Sequence, residues 1–296
     1  MKKFQVLTDS TSDIEKKFRD ALEIDYIPMG FTIAGKEYPA DLDWTELSPD
    51  DYYNLMRNGN RSVTSLISQV ELEKKLNQYL KAGLDVLYIA CSSKLSGSYN
   101  VAKMYYEEIK DQYPNVKFVA FDSLRSNYAE GAMAMKAAKD ALDGKSIDTV
   151  VAELEETKLC YQTYATVGTL EWLKKAGRIK ATKAFFGNLM GVKPIILGDA
   201  IGNNYAFKKV KGRGNSINQL LEEVKANVVN PSETTIYIEH ADCLEDATKL
   251  VKLIEEEVKP KAVNLSNLGP IIGATCGPDT ITVNFFGKKV SIVGEE

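Results

Sequence analysis

Residues 84–100 read LDVLYIACSSKLSGSYN. LDVLYIA is an apolar run of strand length, far short of a membrane span. A small polar loop, CSSKLSGS, follows it, and a helix-length amphipathic segment then runs to about Tyr113. Apolar strand, small polar loop and helix are the grammar of a parallel α/β unit. The grammar occurs twice more. FQVL at 4–7 leads into TDSTSD and a short helix from about Ile14, and VKFVAF at 116–121 leads into DSLRSN and a helix to about Asp143. In sheets of this kind ligands bind outside the carboxyl ends of the strands. The three Ser/Thr-rich loops are therefore expected on one sheet edge, facing a common crevice.

Between these units, IDYIPMGFTIAGKEY at 24–38 reads as extended chain turning at Ala34-Gly35. Ser48 followed by Pro49 opens one helix, and the capping box SQVE at 68–71 opens another that runs to about Ala82, with Gly83 as its C′ residue. After Gly144 the pattern changes. A helix near 147–158 leads into CYQTYATV, and VKPIIL (192–197) and YAFKKV (205–210) read as a hairpin across GDAIGN. TTIYIEH (234–240), a helix and KAVNLSNL (261–268) follow. The final ITVNFFGKKVSIV reads as another hairpin around Gly287, and GPIIGATCGPD (269–279) as a tight loop against something buried. The fold class is α/β. Residues 1–157 form an N-terminal three-layer domain on a mainly parallel sheet, and residues 158–296 a C-terminal α/β domain on a mixed or antiparallel sheet.

Composition narrows the function. The chain has 296 residues, ample for a buried core, and its 44% hydrophobic and 26% charged content is that of an ordinary globular protein. A net charge of −4 without a basic tract argues against nucleic acid or an anionic membrane surface as a standing partner. The apolar run after Lys2-Lys3 is too short for a signal segment, so a cytoplasmic protein without stable membrane insertion is expected. Cys91, Cys160, Cys243 and Cys276 are widely spaced and read as reduced thiols, mostly in the core. With His240 as the single histidine, no Cys/His zinc site has the right spacing, and neither metal nor cofactor is expected.

Several constellations carry polar chemistry. In TDSTSD, capping and backbone pairing outweigh direct ligand contact, and the loop has no glycine for a phosphate to approach. VTSLIS (63–68) and LSGSYN (95–100) each place small hydroxyls beside a helix start, where Gly97 lets the chain bend. A buried carboxylate needs several such donors, because an unpaired buried charge is costly. Arg178, at the end of LKKAGRI, is either a solvated helix-end cation or the charge that meets a ligand carboxylate. His240, alone at a strand end, reads as structural. A phosphoryl-transfer or hydrolytic enzyme is the alternative, but the chain has no Walker A sequence, no GxSxG elbow and no His base beside a Ser.

Taken in order, TDSTSD, IPMGFTIAGKEY, VTSLIS, LSGSYN, FDS at 121–123, TLEWLKKAGRI at 169–179, VKPIIL with GDAIG, and IIGATCGPD resemble the DegV family across almost the whole chain. The resemblance implies two α/β domains and a non-catalytic protein that buries one long-chain fatty acid. It implies Thr64 and Ser96 as the hydroxyls that hold the carboxylate, with Ser65, Gly97, Arg178 and Thr275 around them, and Arg213 as a further basic position. It also implies a partner, a fatty acid kinase subunit that phosphorylates the bound carboxylate. A regulatory lipid sensor without a kinase role is the second reading. This chain departs from the family pattern in two places. Leu66-Ile67 replaces a Gln-Pro pair, and Thr275 and Asp279 stand where a His and a Gly are usual. Threonine donates only neutrally, whereas histidine can also carry charge.

Overall fold

The computed structural model describes residues 2–180, 185 and 191–295. In chain order its elements are β1 (Phe4–Asp9), α1 (Lys16–Leu22), β2 (Asp25–Ile27), β3 (Gly30–Ile33), β4 (Lys36–Pro39), α2 (Pro49–Arg57), β5 (Val63–Ser65), α3 (Gln69–Lys81), β6 (Asp85–Ala90), α4 (Ser98–Ile109), β7 (Phe118–Asp122), α5 (Asn127–Leu142) and α6 (Ile147–Thr157). Then come β8 (Tyr161–Thr166), α7 (Glu171–Ala176), β9 (Val192–Gly198), β10 (Asn204–Lys211), α8 (Arg213–Asn227), β11 (Thr235–His240), α9 (Leu244–Glu257), β12 (Ala262–Asn267), α10 (Pro270–Cys276) and β13 (Ile281–Phe286).

Alternation along the strands sets the layers. Phe4, Val6, Leu87, Ile89 and Phe121 pack on one side with residues of α5 and α6. Leu7, Val86, Tyr88 and Ala90 pack on the other with Leu72, Leu76 and Leu80 of α3 and Ala102 and Tyr105 of α4. The sheet between these layers is wholly parallel, in the order β2-β1-β6-β7. A strand buried on both faces reads as a continuous apolar run, which is why LDVLYIA shows so little alternation.

The hairpin at Ala34-Gly35 forms as its sequence indicates, and β5 joins it in a separate three-stranded antiparallel sheet, β4-β3-β5. Ser48 and Ser68 cap α2 and α3 by accepting from Asp51 N and Glu71 N. The C-terminal half holds a six-stranded mixed sheet, β10-β9-β8-β13-β11-β12. One face, with Tyr164, Ile195, Leu197, Ile281 and Val283, packs on α8 and α9. The opposite face turns toward the N-terminal half, and Ala165 and Ile196 join the same apolar cluster as Leu7 and Tyr88.

Two local readings are corrected. Gly287 does not turn a hairpin. Strand β13 is central, with β8 on one side and β11 on the other, so neither edge is open to a returning strand. Gly287 instead bridges to Val228, and Val290 N donates to Leu159 O as the chain leaves the sheet. GPIIGATCGPD is a two-turn helix, α10, rather than a loop. Pro270 takes its first position, where no N–H is needed, and Gly277 ends it at φ 79°. Among the described residues no helix is long and apolar enough to cross a membrane.

Candidate functional site

The inward face of the six-stranded sheet, the loops at the carboxyl edge of the parallel sheet and α10 enclose a cavity of about 370 Å³. The three Ser/Thr-rich loops do share this crevice. Thr11 comes from the loop after β1, Cys91, Leu95 and Ser96 from the loop after β6, and Ser126 from the loop after β7, with Asn127 at the start of α5. Met29, Ala165, Leu173, Ile196, Ile271 and Ile272 supply the apolar wall.

Thr64, Ser65, Ser96, Arg178 and Thr275 all line this cavity. Strand β5 carries Thr64 and Ser65, in register with Phe31 and Gly30. The loop that follows is held to the start of α4, because Ser98 Oγ accepts from Ile67 N at 3.4 Å. Ser96 Oγ lies 3.0 Å from Ser98 Oγ and accepts from Ser98 N at 3.3 Å. Arg178 joins the same end, donating from Nε to Leu95 O at 3.1 Å. Two hydroxyl loops and one guanidinium therefore converge on one part of the wall. Thr275 lines the cavity from α10, its hydroxyl donating to Ile271 O at 3.3 Å.

Gly97 and Arg213 sit differently from the reading of the sequence. The Gly97 backbone is right-handed helical, φ −81°, so no special bend is required there. What its missing side chain permits is contact: a Cβ would lie 3.2 Å from Leu66 Cδ1. Leu66 lines the cavity and closes over this point. Arg213 does not line the cavity. It begins α8 and pairs with Asp246 of α9 at 2.8 Å.

Thr163, Asn204 and Thr282 line the cavity unannounced by any motif, and Gly198 lines it from the start of GDAIG. Strand alternation was the available signal, since Thr163 and Ala165 flank the oppositely directed Tyr164. The TDSTSD loop is mostly structural. Asp9 accepts from Thr11 N at 3.0 Å and from Tyr88 Oη at 2.8 Å, and Ser10 Oγ accepts from Met29 N at 2.9 Å.

Burial pushes the Cys91 thiol well above its ordinary value, with the carboxylates of Glu130 and Asp9 adding to the shift. The Cys276 thiol rises to about 12 for the same reason, reinforced by Glu239 and Asp13. Neither cavity thiol is a ready thiolate nucleophile at neutral pH. His240 lies outside the cavity lining, and burial lowers its pKa. Among the described residues no group of three His, Cys, Asp or Glu is placed to hold a metal ion.

An α/β protein with a partly apolar interior cavity, hydroxyl donors and a cation at one end is equipped to bind an amphiphilic small molecule. A family model described as "Uncharacterised protein, DegV family" matches residues 3–288, and the chain belongs to that family. A DegV domain-containing protein of Clostridium perfringens is 37% identical over 289 residues, covering 97% of this chain and 98% of the relative. Two solved structures superpose over 97% of this chain and 100% of their own. One, of a DegV family protein from Thermus thermophilus, is described as fatty acid binding, with 25% identity and a TM-score of 0.86. The other is DegV of Bacillus subtilis, described as a fatty acid binding protein, with 26% identity and a TM-score of 0.83.

Proposed function

We propose that this protein binds one long-chain fatty acid in the cavity, with the carboxylate held by Thr64 and Ser96. The observation that carries the reading is that Thr64, Ser65, Ser96 and Arg178, brought together through the Ile67–Ser98 and Arg178–Leu95 hydrogen bonds, line a cavity whose wall also holds Met29, Leu173, Ile196, Ile271 and Ile272. Hydrogen bonds to a charged acceptor are the stronger kind, and Arg178 adds charge balance. Roughly fifteen methylenes at about 0.8 kcal/mol each give a gross burial term near 12 kcal/mol, from which ordering and desolvation subtract much. The acyl chain supplies affinity and the hydroxyls set orientation. Thr275 brings no charge to the wall, and its hydroxyl proton is engaged by Ile271 O.

In this reading the protein is a non-catalytic carrier of two domains, residues 1–157 and 158–296, that presents the carboxylate to a kinase subunit. The substitution of Thr275 for the family histidine favours the second reading, a lipid sensor without a kinase role, because a charged donor beside the transferred phosphoryl group is then missing. Mass spectrometry of the purified, denatured protein tests the binding itself. A stoichiometric long-chain fatty acid is expected. A protein that carries none, and takes up none when offered palmitate, would sink the proposal. Acyl phosphate formation with a cognate kinase separates the two roles.

A further inference from the structure

Two carboxyl groups meet in the interior between the halves of the chain. Asp13 ends the TDSTSD loop at φ 52°, and Glu239 lies on β11. Both side chains are buried, and each carboxyl is near enough to act on the other. Each has one oxygen otherwise occupied. Asp13 Oδ2 accepts from Gly269 N at 3.1 Å, and Glu239 Oε2 accepts from Thr282 Oγ1 at 2.7 Å and Asn284 Nδ2 at 2.9 Å. The remaining oxygens, Asp13 Oδ1 and Glu239 Oε1, are buried and have no hydrogen-bond partner. Two ionised carboxylates cannot be left in such contact, because like charges in a desolvated site drive one of them to take up a proton.

The surroundings reinforce this. The groups acting on the pair are Glu130 and Tyr128 from α5, Tyr53 from α2 and Cys276 from α10, none of them cationic. Burial raises the Asp13 carboxyl well above the ordinary range, and the negative charge of Glu239 raises it further. The pair also touches both sides of the ligand site. Gly269 is the N-cap of α10, which carries Ile271, Ile272, Thr275 and Cys276 into the cavity wall, and Thr282 lines the cavity from β13.

We propose that Asp13 and Glu239 hold a single proton between them, and that this shared proton pins α10 and the Thr282 side of the cavity to the N-terminal half. The proton resides on Asp13 and is donated to Glu239. The stability it contributes is complete below the ordinary carboxylate range. It is lost as pH rises through the elevated folded-state value, because folding there requires proton uptake.

The Asp13→Asn amide imitates the protonated group: its oxygen still accepts from Gly269 N, and its N–H donates permanently to Glu239. Unfolding by urea is followed from pH 5 to 9 for the wild type and this variant. The ratio of the wild-type to the variant unfolding constant is expected to climb with pH, approaching tenfold per unit. Parallel curves would overturn the proposal. Glu239→Gln provides the mirror experiment, since its amide can donate to Asp13 while its oxygen keeps Thr282 and Asn284, and the same divergence is expected. The double variant sets two amides against each other, so its loss should exceed the sum of the single losses. Simple additivity, or failure of both single amides to fold, would also overturn the proposal. These measurements need no ligand. If the fatty-acid reading holds, release of bound fatty acid also quickens with pH in the wild type and stays flat in Asp13→Asn. A protein that binds no fatty acid would sink that reading and leave the unfolding comparison intact.

Discussion

Thr64→Ala and Ser96→Ala each remove a hydroxyl from the part of the cavity where Arg178 also lies. A hydrogen bond to a charged group contributes about 1.5–3 kcal/mol. Each substitution is therefore expected to weaken fatty-acid binding about tenfold or more, as measured by titration with a fluorescent acyl ligand. Stability should change little, because neither hydroxyl bridges elements of the fold. Unchanged affinity in the double variant would remove the proposed carboxylate anchor. Thr64 and Ser96 were nominated by sequence resemblance, and their meeting across the Ile67–Ser98 contact is a matter of tertiary structure. Thr282 carries no comparable signal, because a threonine in a strand reads as an ordinary β-former until its face is known.

At the scale of elements, α10 belongs to the C-terminal sequence but is gripped by the N-terminal half. Tyr53 Oη donates to Leu268 O at 2.7 Å, and Tyr52 Oη donates to Pro270 O at 2.8 Å. Both tyrosines are fully buried. Tyr53→Phe leaves the Leu268 carbonyl without this donor in a dry site, at a cost of about 1–3 kcal/mol. A fall in the urea midpoint with an unchanged slope is the expected result, and an unchanged midpoint would count against the grip. The sequence marks α2 clearly through Ser48 and Pro49, yet the three glycines and two prolines of GPIIGATCGPD give α10 the look of a loop. Its helical state depends on partners that no local propensity records.

Across the whole molecule the halves share one core. The apolar cluster containing Leu7, Tyr88 and Leu76 also contains Ala165, Ile196 and Ile271, so neither half completes its packing alone. Arg57 of α2 reinforces the join, pairing with Asp279 at 2.8 Å and Asp242 at 2.9 Å, although both pairs are partly exposed and individually weak. We therefore expect both halves to unfold together. Trp44 and Trp172 report on the two halves, and the single-tryptophan variants Trp172→Phe and Trp44→Phe should show coincident urea transitions. Separated midpoints would show that the halves are energetically independent.

The sequence by itself determined the strand-loop-helix units, the caps of α2 and α3, the hairpin at Ala34-Gly35 and the hydroxyl loops, because each rests on periodicity or on backbone preferences within a few residues. Tertiary structure alone decided that β13 is central, which leaves Gly287 no strand to turn into. It also decided that Thr163 and Thr282 face the cavity, that Arg213 serves the α8–α9 contact, and that Asp13 and Glu239 meet. The physical reason is common to all four. Which sheet edge is open, which face is covered and which charges are desolvated together depend on residues far apart in the chain, and a buried pair of acids acquires its shared proton only once the fold has excluded water from both.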